Sequence, residues 1–471
     1  MEKKLEKHII PQPFLERMKK LLGNEYERFY NEITSGTPTR AFYTCSESAS
    51  ITVKEELKDA CLSPVPFYDN GFYFDYDGIG NSPLHHSGAF YIQDPSAMST
   101  VCSVDINKGD KILDMCASPG GKTILAAIKA GKEGLVVSNE YSASRCKTLV
   151  GNIERMGLSN VICVNSDAAD DTFLPDTYCG KFDLVITDAP CSGEGMFRKY
   201  PEEAISEWSE DNVKLCAVRQ AKILDNAAKC VKSSGKLLYS TCTFSLEENE
   251  MTIDAFLNRH PEFSLISVKE EVKNITAAGY SFDGCKTQNI NLTRRFYPHI
   301  SKGEGQFIAL MQKNSDEASS EVKNKKSKEK SILQDLTKEE KQALTKLFKC
   351  LEKDLYENKI FKYGENIIYC EHSGFIPQKH VFSCGVKIGE FSKNYITPHH
   401  SFFKCFGSNF KNSLDISGDV SALSKYLHGE CIEADIPDGW CAITYRGFIL
   451  GGGKAVSGVI KNHYPKGLRM K

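Results

Sequence analysis

No two of the eighteen cysteines in this 471-residue sequence stand in C-x-x-C spacing, so neither a zinc knuckle nor a redox dithiol is written into it. Long apolar runs are missing as well. No stretch approaches the length of a membrane span, and the opening MEKKLEKHIIPQPF carries no apolar core of signal-peptide size. A large excess of either charge is absent too. Lys and Arg number 59 against 61 Asp and Glu, a net charge of −2. That balance excludes a uniformly basic surface, so any contact with nucleic acid must use local patches. Together these absences predict a cytoplasmic protein with reduced thiols, no metal and no membrane partner.

What is present is the composition of a globular protein, 41% hydrophobic and 25% charged, over a length too great for one ordinary domain. The sequence divides at changes of rhythm. Residues 1–106 form a mixed region with a polar helical start (FLERMKKLLGNEYERFYNEI) and aromatic-rich short segments. Residues 107–313 alternate short β-branched runs (KILDMC, GLVVSNE, NVICVNSD, FDLVITDAP, GKLLYSTC) with helical periodicity. That alternation predicts an α/β domain with a mainly parallel sheet covered on both faces. FSLISVKE and GQFIALMQ are expected to add antiparallel edge strands. Residues 314–331 are nearly all polar or charged and read as a linker. Residues 332–387 predict a helix (LTKEEKQALTKLFKCLEKDLY) followed by strand-like pieces, and 388–471 form a β-rich end.

In KILDMCASPGGKT a strand runs into a glycine-rich turn and then a helix beginning near Lys122, which lets backbone approach a ligand and offers free N–H groups. A Walker A loop fits only its end, Gly121, Lys122 and Thr123. Its first glycine would fall on Cys116, and the dinucleotide fingerprint G-x-G-x-x-G is absent. The next strand ends at Glu140, placed to accept both hydroxyls of a ribose, and the third at Asp167, placed for an adenine amino group. A loop without a phosphate cradle, followed by acids at successive strand ends, suits S-adenosylmethionine, a sulfonium cation with no phosphate. Glu140 and Asp167 taken singly could equally be helix-capping acids.

Two further strands end in thiols: DAPCSG carries Asp188 and Cys191, and YSTCTF carries Cys242. A lone buried cysteine is commonly a small core hydrophobe. Here Cys191 precedes loop residues, and Cys242 stands just before an expected helix start (SLEEN) whose N-terminus would stabilise a thiolate. Methylation at carbon 5 of a pyrimidine explains both thiols. Thiolate addition to carbon 6 makes carbon 5 nucleophilic, and a second group is then needed for release. Asp188 could engage N3 and N4 of cytosine and disfavour uracil. Spacing does not rank the two sulfurs.

LHHSGAFYIQDPSAM, DMCASPGGKT, DAPCSGEGMFRK, WSEDNVKLCAVRQAKIL and YSTCTFSLEENE together resemble the Nop/Sun family of RNA cytosine-C5 methyltransferases, in the family's order, across Ser82 to Lys313. The chain looks most like the bacterial RsmF-type 16S rRNA enzymes. The resemblance implies a class I, Rossmann-like methyltransferase domain between a small α+β N-terminal domain and a C-terminal PUA-like RNA-binding domain. It implies that Cys116, Ala117, Ser118, Pro119, Gly120, Gly121, Lys122, Glu140, Asp167 and Asp188 contact the cofactor or the reacting base. It also implies that Cys242 is the nucleophile and Cys191 assists release. The partner it implies is ribosomal RNA or the small ribosomal subunit, met by a monomer. Transfer RNA as substrate, an inactive RNA-binding assembly factor, and a P-loop NTPase are the alternatives; intact Cys191, Cys242 and Asp188 weigh against the second, Cys116 against the third.

From Gly439 onward Arg446, Lys454, Lys461, Lys466, Arg469 and Lys471 appear with no acid among them. Interleaved with Tyr445, His463 and Tyr464, they predict phosphate contacts and base stacking. Arg198 and Lys199, in the turn FRKYP, are expected to hold the target strand. The target cytosine must be unpaired or flipped to reach the crevice.

Overall fold

The computed structural model describes residues 10–170, 178–315 and 332–470. The expected linker therefore lies, from residue 316 on, outside the described residues, as do the first nine positions and Lys471. At the centre is a ten-stranded sheet. Five of its strands are β1 (Lys111–Asp114), β2 (Leu135–Asn139), β3 (Val161–Val164), β4 (Phe182–Asp188) and β5 (Val231–Thr241), followed by β6 (Gln306–Lys313). Their spatial order is β3-β2-β1-β4-β5-β6, parallel through β5 and antiparallel at β6. This is a Rossmann-like arrangement, and its order reverses between β1 and β4, so a crevice opens at the carboxyl ends of those two strands. Most residues of the parallel strands are buried, which explains why their central parts read as continuous apolar runs.

The expected edge position of β6 is corrected. Its first six residues are buried because Phe263–Leu265 and the short strands Arg294–Phe296 and Ala277–Ala278 lie outside it. Arg295 on the added strand is buried and bidentate to Glu250, a pairing that offsets part of the cost of placing either charge there. The opposite edge is also extended. Val381–Cys384 pairs antiparallel with β3, so a strand from the 332–387 region extends the central sheet.

Ahead of this sheet, a four-stranded antiparallel sheet and the helices Gln12–Leu22 and Tyr26–Ser35 form the N-terminal unit. The single polar helix expected there is broken at Gly23, whose φ of 53° takes the chain out of the helix. Its apolar side does not face its own sheet. Phe14 and Phe29 pack edge-on against Phe197 and Phe244, at 5.0 and 5.1 Å between ring centroids. Those two rings follow Cys191 and Cys242 in the chain, so the N-terminal helices support both cysteine turns from behind.

After residue 331, the helix Lys338–Phe348 opens with a Thr337–Glu340 capping box and ends eight residues before the expected stretch does. A four-stranded sheet follows, and one of its strands, Val386–Ser392, runs straight through the 387/388 division expected from the sequence. The C-terminal five-stranded sheet shares its core with the N-terminal unit through Phe42, Phe90, Tyr426 and Tyr464. Among the described residues no helix is long and apolar enough to cross a membrane.

Candidate active site

The turn after β1 is held from several sides. Ala117 N–H donates to Asn139 O at 2.8 Å, Ser118 N–H to Glu140 Oε2 at 3.3 Å, and Arg145 to Ser118 O at 2.8 Å. Gly120 has φ 114°, which an L side chain resists, and delivers the chain into the helix Gly121–Ala130. Tyr43 hydroxyl donates to Gly121 O at 2.8 Å, so the N-terminal unit touches the turn. Asp114, at the end of β1, is fully buried and accepts Thr123 hydroxyl at 2.7 Å; burial pushes its carboxyl up to about 6.

Glu140 and Asp167 follow β2 and β3. Glu140 is almost fully buried and accepts Ser142 N–H at 2.9 Å, so part of its capacity holds the turn that leads into the next helix. Asp167 accepts Ala169 N–H at 3.0 Å and faces the Arg219 guanidinium at 3.6 Å. Arg219 also lies over the Tyr141 ring, 5.7 Å from its centroid.

At β4 and β5 the two thiols meet. Cys191 Sγ and Cys242 Sγ are 3.2 Å apart, and Cys242 N–H donates to Cys191 Sγ at 3.3 Å. The shared sulfur contact, reinforced by burial, raises the Cys191 thiol well above its ordinary range. Glycine is needed at 195. A Cβ there would stand 2.8 Å from Gly305 Cα and 2.9 Å from Cys242 O, so any side chain would push the two turns apart. Asp188 lies at the same crevice. Its Oδ2 accepts Lys122 Nζ at 2.7 Å, and its Oδ1 accepts Ser240 hydroxyl at 2.7 Å and Gln306 Nε2 at 3.3 Å. Three donors hold this carboxylate in one orientation.

One sequence expectation about the thiols is corrected. The helix after Cys242 begins at Glu250, with a turn over Leu246–Asn249 in between. Cys242 therefore does not stand at a helix N-terminus, and a helix dipole acts only within about the first turn.

Arg198 is also corrected. Its side chain is 4% exposed and is gripped by Glu32 and by both oxygens of Glu304. It ties the N-terminal helix to the catalytic domain and is not free to meet RNA. Lys199 stays partly exposed, 3.8 Å from Asp94. In the C-terminal unit Tyr445 and Tyr464 are buried in the core, so the expected base-stacking role falls away for both. Arg446 pairs with Glu56, and Arg469 donates to Tyr464 O. Lys454 and Lys461 are different. They stand directly opposite on adjacent strands, exposed, with Lys454 Nζ 5.4 Å from the centroid of Trp440. Lys466 is exposed as well.

Sequence reasoning missed Asp114, Arg219, Gln220, Glu248 and Gln306. Gln220 is fully buried within the long helix Glu210–Cys230, and a polar residue on a buried helix face was the available signal. Nothing in the sequence marks Glu248 within SLEENE as different from its neighbouring acids.

Carboxylates at three strand ends and a turn with no phosphate cradle fit a cationic adenosyl cofactor and disfavour a nucleotide phosphate. A Rossmann-like sheet with this crevice defines a methyltransferase domain, here flanked by a second unit on each side. The description "16S rRNA methyltransferase RsmB/F" matches residues 101–312. "N-terminal domain of 16S rRNA methyltransferase RsmF" matches 10–95, and "Methyltransferase RsmF PUA domain" matches 411–470. The chain belongs to the S-adenosylmethionine-dependent 16S rRNA methyltransferase RsmF family. It is 30% identical over 477 residues to ribosomal RNA small subunit methyltransferase F of Vibrio vulnificus strain YJ016, covering 98% of this chain and 97% of the relative. Against the Vibrio parahaemolyticus protein of the same name identity is 31% over 438 residues, covering 88% and 87%. A crystal structure of a methyltransferase homologue from Pyrococcus horikoshii superposes with a TM-score of 0.56 at 27% identity, covering 64% of this chain and 95% of that one.

Proposed function

We propose that the protein forms 5-methylcytosine in 16S ribosomal RNA through a transient covalent bond between Cys242 and carbon 6 of the target base. The observation that carries this reading is the pair of sulfurs 3.2 Å apart at the ends of β4 and β5, opening beside Asp188. Among methyl transfers to RNA bases, attack by a ring carbon is the one that calls for a thiolate.

The turn Cys116–Lys122 with Glu140 and Asp167 would hold S-adenosylmethionine, which supplies an electrophilic methyl group when bound. The chain does the rest. Asp188, aimed by Lys122, Ser240 and Gln306, accepts from the exocyclic amino group of cytosine and disfavours the carbonyl that uracil presents there. Cys242 thiolate adds to carbon 6, and the electron pair it displaces makes carbon 5 nucleophilic. Once carbon 5 carries the methyl group, its proton must leave. Cys191, in its thiolate form, takes it and becomes the thiol. The electrons of that C–H bond re-form the 5,6 double bond, and the carbon–sulfur bond breaks back to Cys242 thiolate.

Bisulfite sequencing of 16S and transfer RNA from cells with and without the gene tests the reading. Loss of methylation at one or more 16S cytosines is expected. Loss confined to transfer RNA would move the substrate, and no loss in either would leave an RNA-binding factor without this activity. The enzyme would work in the cytoplasm, where the small subunit is assembled.

The exposed Lys454–Lys461 pair, with Trp440 beside it, is the part of the C-terminal unit best placed for phosphates. Replacing both lysines with alanine is expected to reduce the slope of log affinity against log salt by about 1.5, since each phosphate contact contributes roughly 0.7–0.9. Filter binding across a salt series measures it, and an unchanged slope would remove the pair from the interface.

A further inference from the structure

Cys191 lies between two pinned residues, and both pins lead to the same buried pair. Gln220 Nε2 donates to Pro190 O at 2.9 Å and to Glu248 Oε2 at 2.8 Å. Glu248 Oε2 in turn accepts Ser192 N–H at 3.0 Å, and its Oε1 accepts the Ser192 hydroxyl. Ser192 Oγ also lies 2.9 Å from Thr243 Oγ1, on the residue after Cys242. The residues before and after one thiol are thus fixed to each other and to the turn that carries the second thiol.

Glu248 and Gln220 are both fully buried, and no cation lies within ion-pair distance of Glu248 among the described residues. Burial pushes the Glu248 carboxyl up to about 7. A buried carboxylate without a counter-charge is costly to fold around. Its side-chain hydrogen bonds go to Ser192 and to Gln220 and reach the second cysteine turn through the Ser192 hydroxyl, so the cost is tied to this one geometry.

We propose that Glu248 and Gln220 are positioning residues for the release step, clamping the backbone on both sides of Cys191 so that its sulfur stays against that of Cys242. This rests on the covalent reading above. Attack on carbon 6 needs only Cys242 and a bound base. Removal of the carbon 5 proton needs a second sulfur at a fixed place, and a displacement of about 1 Å at such a group costs on the order of 10²-fold in rate. The backbone bond that ties this turn to the second one, Gly195 N–H to Cys242 O at 2.9 Å, lies four residues past Cys191, beyond the left-handed Gly193.

The test compares Glu248→Ala with Glu248→Gln in the full-length protein under turnover. Glutamine retains the clamp: its carbonyl accepts the two N–H donors, and its amide faces Ser192 hydroxyl, which then donates to Thr243. In Glu248→Ala the fraction of protein trapped as a covalent RNA adduct is expected to rise about tenfold or more, with product release slowed in proportion. Glu248→Gln is expected to return within about threefold of wild type, the difference between charged and neutral acceptors. Ser192→Ala removes only the hydroxyl pins and keeps the assay interpretable if Glu248→Ala is poorly folded; it is expected to raise the adduct fraction to a smaller degree. Parallel losses of methyl transfer and release with no change in adduct fraction would overturn the proposal. So would a glutamine variant as impaired as the alanine one. Cys191→Ala run alongside separates the two levels: an adduct there and none in Glu248→Ala overturns the clamp alone, and no adduct in either overturns the covalent release reading.

Discussion

Replacing Cys242 with alanine is expected to lower methyl transfer by at least about 10³-fold, the scale on which loss of a covalent nucleophile registers, while affinity for S-adenosylmethionine stays near that of the wild type. The two effects separate because different atoms serve them. The turn Cys116–Lys122 is held by Asn139, Glu140, Arg145 and Asp188, and none of those contacts passes through the Cys242 side chain. Without the sulfur, carbon 5 of cytosine is too weak a nucleophile to take a methyl group at a useful rate. Isothermal titration with the cofactor and single-turnover transfer to 16S RNA give the two numbers. Turnover above about a tenth of the wild-type rate would mean that another group attacks.

Cys191→Ala is expected to have a different signature: one methyl transfer per protein, then arrest as a covalent complex. Its Sγ lies 3.2 Å from that of Cys242, close enough to meet the carbon next to the one Cys242 is proposed to attack. Loss of a positioned base slows the step it serves by roughly 10²–10⁴-fold. A denaturing gel should then show a band of RNA-linked protein that depends on the cofactor and is absent from the Cys191→Ala, Cys242→Ala double variant. If Cys191→Ala turns over with no such band, release does not use this thiol.

The parallel strands were legible because each is a short apolar run buried on both faces, and the crevice follows from their order. So Glu140, Asp167, Asp188, Cys191 and Cys242 could be placed at strand ends from the sequence. Side-chain partners were not legible. Arg198 looks like a surface cation in FRKYP, yet Glu32 and Glu304, at distances of 166 and 106 residues along the chain, bury it. Tyr464 looks like a stacking ring beside lysines, yet it stands in a core shared with Phe42 and Phe90 of the opposite end of the chain.

The sequence by itself determined the sheet, the turn chemistry after β1 and the residence of two thiols at neighbouring strand ends, because periodicity and turn residues act over a few positions. Only the tertiary structure decided that the sulfurs lie within 3.2 Å, that the N-terminal helices support them from behind, and that Glu248 and Gln220 grip the loop between. Those contacts join segments tens to hundreds of residues apart. Whether a given polar side chain faces water or a partner is settled by which distant surface packs against it, and local pattern does not record that.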